Sequence, residues 1–498
     1  MSIKHELVTQ QEEEEDDELQ IEQPAQNPPA PADELFDIST TVDPSYVISL
    51  IRKLLPPTMN PTSASLLSQT NGINKCETTD DNNDDEEKHV GPLVGDDAWE
   101  EHGCVLWDLA TSRTHAELMV QNLVLDVILA TLMVTQSPRV KEISLGIIGN
   151  LACHEVSRKE IASVKGLVEV VVDQLFVDDT PCLCEEFRLL TLCLRKNEGI
   201  IWAQALQTEN ILSRIVWVVE NTLNPQLIEK SVGFLLTVSQ SQEEVRDMLL
   251  PQLVKLGIPV ILVNLLAFEI SKLEGDERMP ERYPVLDTIL QAIESLTVID
   301  GCSQEFCSNK KLLFQLGTLI KLNDKVEVAT SCVTAAVLIA NLLSDSDSLI
   351  LEINQDLLFL QGLLDIFPFA SDDLAARNAL WDIISRLLAH IQDNEMSRSD
   401  LHQYISIFAS KSDLIEEELL DHQLADSNKD QDTATASGRN LNIRTAALKR
   451  IDFIVSQWLA LKDQNSPTKL TQEFVVNDRD LNRLKDCCRK YINNIGSS

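Results

Sequence analysis

Ser137-Pro138-Arg139-Val140-Lys141-Glu142-Ile143-Ser144-Leu145-Gly146-Ile147-Ile148-Gly149-Asn150-Leu151-Ala152 is the stretch that decides the fold. Val140, Ile143, Ile147 and Leu151 recur at three- and four-residue steps, the spacing of one helix face. Ile148 and Ala152 widen that face, and so wide an apolar stripe belongs to a helix packed on both flanks. Gly146 and Gly149 each lower helix propensity by about 1 kcal/mol, so close approach of a neighbouring helix is expected there. The pattern then returns. Pro138, Pro181 and Pro225 are 43 and 44 residues apart, and Glu142, Glu185 and Glu229 follow them at equal distance. Apolar runs open after each proline, at 146–151, 189–194 and 233–238, and Gly166-Leu167-Val168 and Gly257-Ile258-Pro259 lead further ones.

A period of about 40–47 residues made of helices is the signature of armadillo and HEAT repeats. The fold expected is therefore all-α, a right-handed armadillo/HEAT-like α-solenoid. Each repeat of such a stack buries its apolar face only against its neighbours, so 498 residues need no single large core. The organisation expected is a disordered acidic extension over 1–96 with a short amphipathic helix at 44–55, repeats over 97–420, a polar linker at 421–440 and a C-terminal helical pair over 441–498. In the short helix Tyr46, Val47, Leu50, Ile51 and Leu54 line one side, Asp43 caps it and Pro44 takes its first position. It is expected either to cap the stack, the preferred reading, or to serve as a short recognition helix for another protein. Later helices are expected near 284–299, 326–343, 353–367, 372–390 and 400–420, with a charged loop inserted at 269–283.

The charge is strongly acidic, a formal net of -38. Residues 1–100 hold 23 acidic and 5 basic side chains, whereas 439–490 hold 11 basic and 6 acidic ones. Such a chain is repelled by phosphate backbones and anionic lipid, so neither nucleic acid nor membrane is an expected partner. No apolar run is read as approaching the ~18 residues of a membrane span. The acidic stretch from Met1 to Gln20 lacks the basic and apolar regions of a signal peptide. Nucleus or cytoplasm is the expected location, and the 11 cysteines are expected as reduced thiols.

Chemistry-bearing motifs are sparse. Cys182-x-Cys184 and the Cys302/Cys307 pair have no second pair at zinc-site spacing, and His154-Glu155 lacks the second histidine of a zinc-protease helix. There is no phosphate-binding Gly-x-x-x-x-Gly-Lys-Ser/Thr and no nucleophile elbow. No cofactor, metal or catalysis is expected.

The segment 138–178 resembles an armadillo repeat through Glu142, Gly146, Asn150-Leu151-Ala152, Gly166 and Leu167-Val168. In armadillo proteins an asparagine at the position of Asn150 clamps an extended peptide by its amide, repeated along the groove. The matching residues of the next two copies are Cys193 and Thr237, and Asn341 restores the asparagine. Read with its flanks, Cys104-Val105-Leu106-Trp107-Asp108, then 137–143 and 146–153, the chain resembles the serum-amyloid-A-like protein one (Saal1) family over about residues 35–210. That resemblance implies an intracellular armadillo-like protein associated with cell proliferation and without assigned catalysis. The candidate binding surface is the concave face: Arg139, Glu142, Asn150, Glu185, Glu186, Arg188, Glu229 with Lys230, and Asn341. It suits a protein partner with basic segments. The function expected is a protein-binding scaffold or adaptor. The alternative is an acidic chaperone or transport factor shielding a basic client.

Overall fold

In a computed structural model the described residues are 42–55, 96–273, 279–299, 301–307, 309–345, 347–391, 396–426, 434–464 and 478–495. The acidic runs at 1–34 and 58–95 lie outside them. Among the described residues every regular element is a helix.

Local chemistry starts the ladder. Ser137, Asp179 and Asn224 each accept, through the side chain, the backbone N–H of Val140, Cys182 and Leu227, and a proline follows in the first turn of each helix. Cap and proline together satisfy or remove donors that a helix start leaves orphaned. The three helices so begun, Pro138–Ala152, Thr180–Leu194 and Pro225–Gln240, pack side by side. The same packing runs on before and after them. Asp96–Leu109 lies against Pro138–Ala152, and Pro225–Gln240 is followed by Tyr283–Thr297, Ala329–Asp345, Leu374–Ala389 and Ala434–Gln464. Each contacts the next, giving one ladder of eight helices among the described residues.

Between rungs the chain makes two further helices, most of them shorter. One row contains Val124–Val134, Leu167–Val172 with its 3-10 extension Asp173–Phe176, Glu209–Asn221, Ile258–Leu273, Lys310–Ile320 and Leu357–Leu364. The other contains Arg113–Gln121, Glu155–Ser163, Gly199–Leu206 and Glu243–Lys255. Three helices per repeat is the armadillo plan, and the chain is an all-α solenoid of that kind. The turn between the two outer rows needs a left-handed residue. Gly166 and Gly257 supply it with φ of 83° and 92°, and the matching residue of the first repeat is Leu123, at 66°. A side chain is strained in that region, and glycine is not.

The core is the seam between rows: Ile143, Ile147, Leu151, Phe187, Leu190, Phe234, Val238, Ile289, Ile293, Leu338 and Ile384 are all fully buried. Phe187 and Phe234 meet across adjacent rungs, centroids 5.8 Å apart. Arginines close rung ends. Arg158 Nη1 donates to the Ala152 carbonyl at 2.6 Å, Arg386 Nη1 to Leu343 at 3.1 Å and Arg450 Nε to Leu388 at 3.1 Å. A cation there answers both the orphan carbonyls and the negative end of the helix.

The helix Pro44–Lys53 buries Val47, Leu50 and Ile51 against Asp96–Leu109 and Arg113–Gln121. Trp99 Nε1 donates to the Leu54 carbonyl at 3.2 Å. It covers the first rung, and the described residues from Pro44 onward belong to one unit.

Three sequence expectations change. The loop read at 269–283 is helical to Leu273, and Glu269, 2 % exposed, takes a two-pronged ion pair from Arg282 at 2.8 Å. Within the linker read at 421–440, Ser412–Asp426 and Ala434–Gln464 extend as helices. The latter packs on Leu374–Ala389, so the last rung belongs to the ladder. Thirdly, Val326–Ser344 has the length and apolar composition of a membrane span, mean hydropathy 1.8. Its apolarity follows from its position, since rungs on both sides and Lys310–Ile320 pack on the helix it contains.

Candidate functional site

The residues singled out in the sequence lie on the ladder rungs, and the structure gives each a partner or a place. At the second rung Arg139 Nη1 binds Glu142 Oε2 at 2.7 Å and its Nη2 reaches Cys104 Sγ at 3.6 Å. At the third rung Arg188 pairs with Glu185 at 2.6 Å, one helical turn away. The same guanidinium crosses to the previous rung, donating to Asn150 Oδ1 at 3.2 Å and to the Gly146 carbonyl at 3.2 Å. Asn150 in turn donates its Nδ2 to the Trp107 carbonyl at 2.8 Å.

Both ends of the Asn150 amide are therefore engaged between rungs. The glycines now have their reason. A Cβ on Gly146 would stand 2.1 Å from the Trp107 ring, and one on Gly149 would stand 2.5 Å from the Arg188 guanidinium. Trp107, Gly146, Gly149, Asn150, Arg188 and Glu185 form one interlocked set over three rungs.

Farther along, Lys230 binds Glu229 at 2.9 Å, and Arg195 Nε reaches Thr237 Oγ1 at 3.4 Å. Ser239 and Ser295 hydroxyls meet at 2.7 Å. Asn341 is half-buried on the sixth rung, apart from the Asn150 set. Glu186 is a correction. It is fully buried and both its carboxylate oxygens lack a hydrogen-bond partner, so it belongs to the core and not to an accessible face. Burial pushes its carboxyl well above the usual carboxylate range, because the charged form finds no partner in the core.

Asp287 and Glu294 were missed in the sequence because their spacing matches none of the three proline-led copies. Both sit on the fifth rung. Burial raises Asp287 against the opposing hydrogen bond from Ser331, and burial raises Glu294 with help from Asp373. Among the described residues no cluster of three His, Cys, Asp or Glu side chains could hold a metal ion. Burial also raises the thiols of Cys182 and Cys184, the latter to about 11. Cys182 donates to the Pro138 carbonyl at 2.9 Å, so it joins two rungs.

This chain is 31% identical to human "Protein SAAL1" over 156 residues, 31% of this chain and 32% of that protein. It is 28% identical to the Danio rerio "Protein saal1" over 150 residues, 30% of this chain and 32% of the other. Its own helices make it an armadillo-like helical-repeat protein, and over that stretch it is similar to SAAL1. The match spans about a third of the length of these curated relatives. No family model matches the chain. Among solved structures it is similar to an engineered protein that covers 91% of it, at 14% identity and a TM-score of 0.48. It is also similar to a designed armadillo repeat protein in complex with the peptide (KR)4, covering 59% at 14% identity and a TM-score of 0.41.

Proposed function

We propose that this SAAL1 relative is a non-catalytic protein-binding scaffold that holds an extended segment of a partner along the exposed side of its ladder. The observation that carries the reading is the recurrence of ion pairs at one rung after another: Arg139–Glu142, Glu185–Arg188 and Glu229–Lys230. Packed helices stand about 8–10 Å apart, and an extended chain advances about 3.3 Å per residue. One rung therefore meets about three partner residues, a periodicity an extended segment satisfies along its length. Asn341 would supplement these pairs with hydrogen bonds, whereas the Asn150 amide is taken up between rungs and would position Arg188. A partner with interspersed basic residues fits the glutamates, and a setting in cell proliferation, in nucleus or cytoplasm, is the one the family resemblance implies.

The test is affinity capture from cells with mass spectrometry, comparing the full chain, residues 42–498 and a Glu185→Lys/Glu229→Lys variant, each washed at low and high salt. Truncation begins at 42 because the helix Pro44–Lys53 covers the first rung. Partners that survive truncation and high salt but are lost in the ladder variant support the scaffold. A second reading draws on the 23 acidic side chains of residues 1–100, 12 of which lie before residue 42 and are removed by the truncation. Basic partners lost on truncation and at high salt, but kept by the ladder variant, would replace the scaffold with an acidic factor that shields a basic client.

A further inference from the structure

The row opposite the ladder leaves large apolar side chains in water at successive repeats. Trp217 is 51 % exposed on Glu209–Asn221, Leu223 just after it 73 %, and Phe314 on Lys310–Ile320 71 %. Val260 between them and Leu358 beyond them are exposed as well. A lone exposed leucine needs no explanation, but a run of them over neighbouring helices marks an interaction surface.

Within that run lies a cleft of about 180 Å³, walled by Glu220, Leu223, Ile261, Asn264, Leu265 and Phe268. It is too small for a typical small-molecule ligand, which occupies about 300 Å³ or more, and is of a size to take one large apolar side chain. Its rim is basic, in a chain whose net charge is -38. Lys272 Nζ lies 5.1 Å from the Phe268 ring centroid, and Lys311 Nζ donates to Asn264 Oδ1 at 2.8 Å. Neither ammonium is paired with a carboxylate among the described residues, whereas Arg282, also over Phe268, is neutralised by Glu269. Among the described residues, then, two cations without a carboxylate partner flank an apolar slot whose lining carries a single carboxylate, Glu220.

We infer that the cleft between Glu209–Asn221 and Ile258–Leu273 is a second docking site, which takes an acidic segment of another protein through one apolar anchor residue. The anchor fills the slot beside Leu223 and Phe268. Carboxylates on either side of it meet Lys272 and Lys311, and the exposed faces of Trp217 and Phe314 receive further apolar side chains. This site is separate from the ladder and opposite to it in charge preference. The two surfaces would let one scaffold join a basic partner to an acidic one.

The experiment uses the full chain and two short fluorescein-labelled synthetic peptides with a central Phe-Ala-Ala-Leu, one flanked by Asp and Glu and one by Lys, read by fluorescence anisotropy. The acid-flanked peptide is expected to bind at least roughly tenfold more tightly than its lysine twin. Leu223→Asp should abolish binding, and Lys272→Glu with Lys311→Glu should reverse the preference between the peptides. All three side chains are exposed, and circular dichroism of the variants is to be recorded as the check on their folding. Equal or tighter binding of the lysine peptide, binding of neither peptide, or a Leu223→Asp variant that binds normally would each overturn the inference. So would sedimentation showing a wild-type dimer that Leu223→Asp converts to monomer, because the patch would then belong to a second copy of this chain.

Discussion

Trp107 lies where a side chain on Gly146 would have to go. Gly146→Ala improves helix propensity by about 1 kcal/mol, yet its Cβ would meet the indole ring at 2.1 Å. Overpacking of this kind costs about 1–3 kcal/mol, so the variant is expected to be net destabilised in urea unfolding, and a more stable Gly146→Ala would sink the packing account. Leu123 is the opposite case. It holds φ at 66° where the later repeats use glycine, and it is mostly exposed, so little burial is lost on truncation. Leu123→Gly should stabilise by about 1 kcal/mol, the order of the left-handed penalty, readable as a higher urea midpoint. Glu186 makes stability depend on pH. Its folded pKa is raised by burial above the unfolded value, so the native state keeps a proton that the unfolded chain releases. Stability is then undiminished below the unfolded pKa of about 4.3 and falls as pH rises from there toward the folded pKa. Glu186→Gln removes the titration, so its advantage over the wild type should grow from pH 4 to pH 8, tracked by urea midpoints at each pH. A constant difference would mean that the carboxyl is not held neutral.

At the scale of elements the cap helix is the sharpest case. Leu50 is 2 % exposed on Pro44–Lys53 and faces the first rung. Leu50→Ala should cost about 2–5 kcal/mol locally, and hydrogen exchange should quicken over 96–134 while the rungs beyond 283 keep their protection. Uniform loss along the chain would contradict a stack with only nearest-neighbour coupling. This helix was legible in the sequence because Asp43, Pro44 and the apolar spacing all agree on it. The same holds for Pro138–Ala152, where proline and stripe coincide, and the structure adds the Ser137 cap to them. What the sequence hid has physical causes. Glu269 read as part of a charged loop because its partner Arg282 stands 13 residues away, and only folding joins them. Glu186 read as surface because its neighbour Glu185 is half-exposed, and a one-residue step on a helix turns a side chain from water into the core. The candidate residues Arg139, Glu142, Asn150 and Arg188 stand out in the sequence as charged and polar helix positions, but their bonds to one another and to neighbouring rungs depend on the stacking offset, which no local pattern carries.

For the whole molecule, the consequence of a ladder is that its two ends should fail separately. The last rungs are tied by a buried ionic set: Arg377 binds Glu418 at 2.6 Å, Trp381 Nε1 donates to Glu418 at 3.1 Å, and Arg444 lies 3.9 Å from the same carboxylate. Arg444 also donates to the Tyr491 hydroxyl at 3.2 Å, which draws Asp478–Ile495 into the set. All three charged side chains are at most 8 % exposed. Removing the carboxylate leaves two guanidinia buried without a counter-charge, and breaking such a pair from one side costs about 3–5 kcal/mol. In a globular domain that loss would lower a single cooperative transition. Here the coupling passes only from rung to rung, so Glu418→Ala should split unfolding into an early phase, confined by hydrogen exchange to the segment beyond 374, and a late phase unchanged from wild type. Leu50→Ala should do the converse at the other end. The double variant should show both losses, additive to within about 0.5 kcal/mol because the sites share no neighbours. A single transition displaced equally in all three proteins would mean that the stack behaves as one cooperative body, and the nearest-neighbour account of this chain would have to be abandoned.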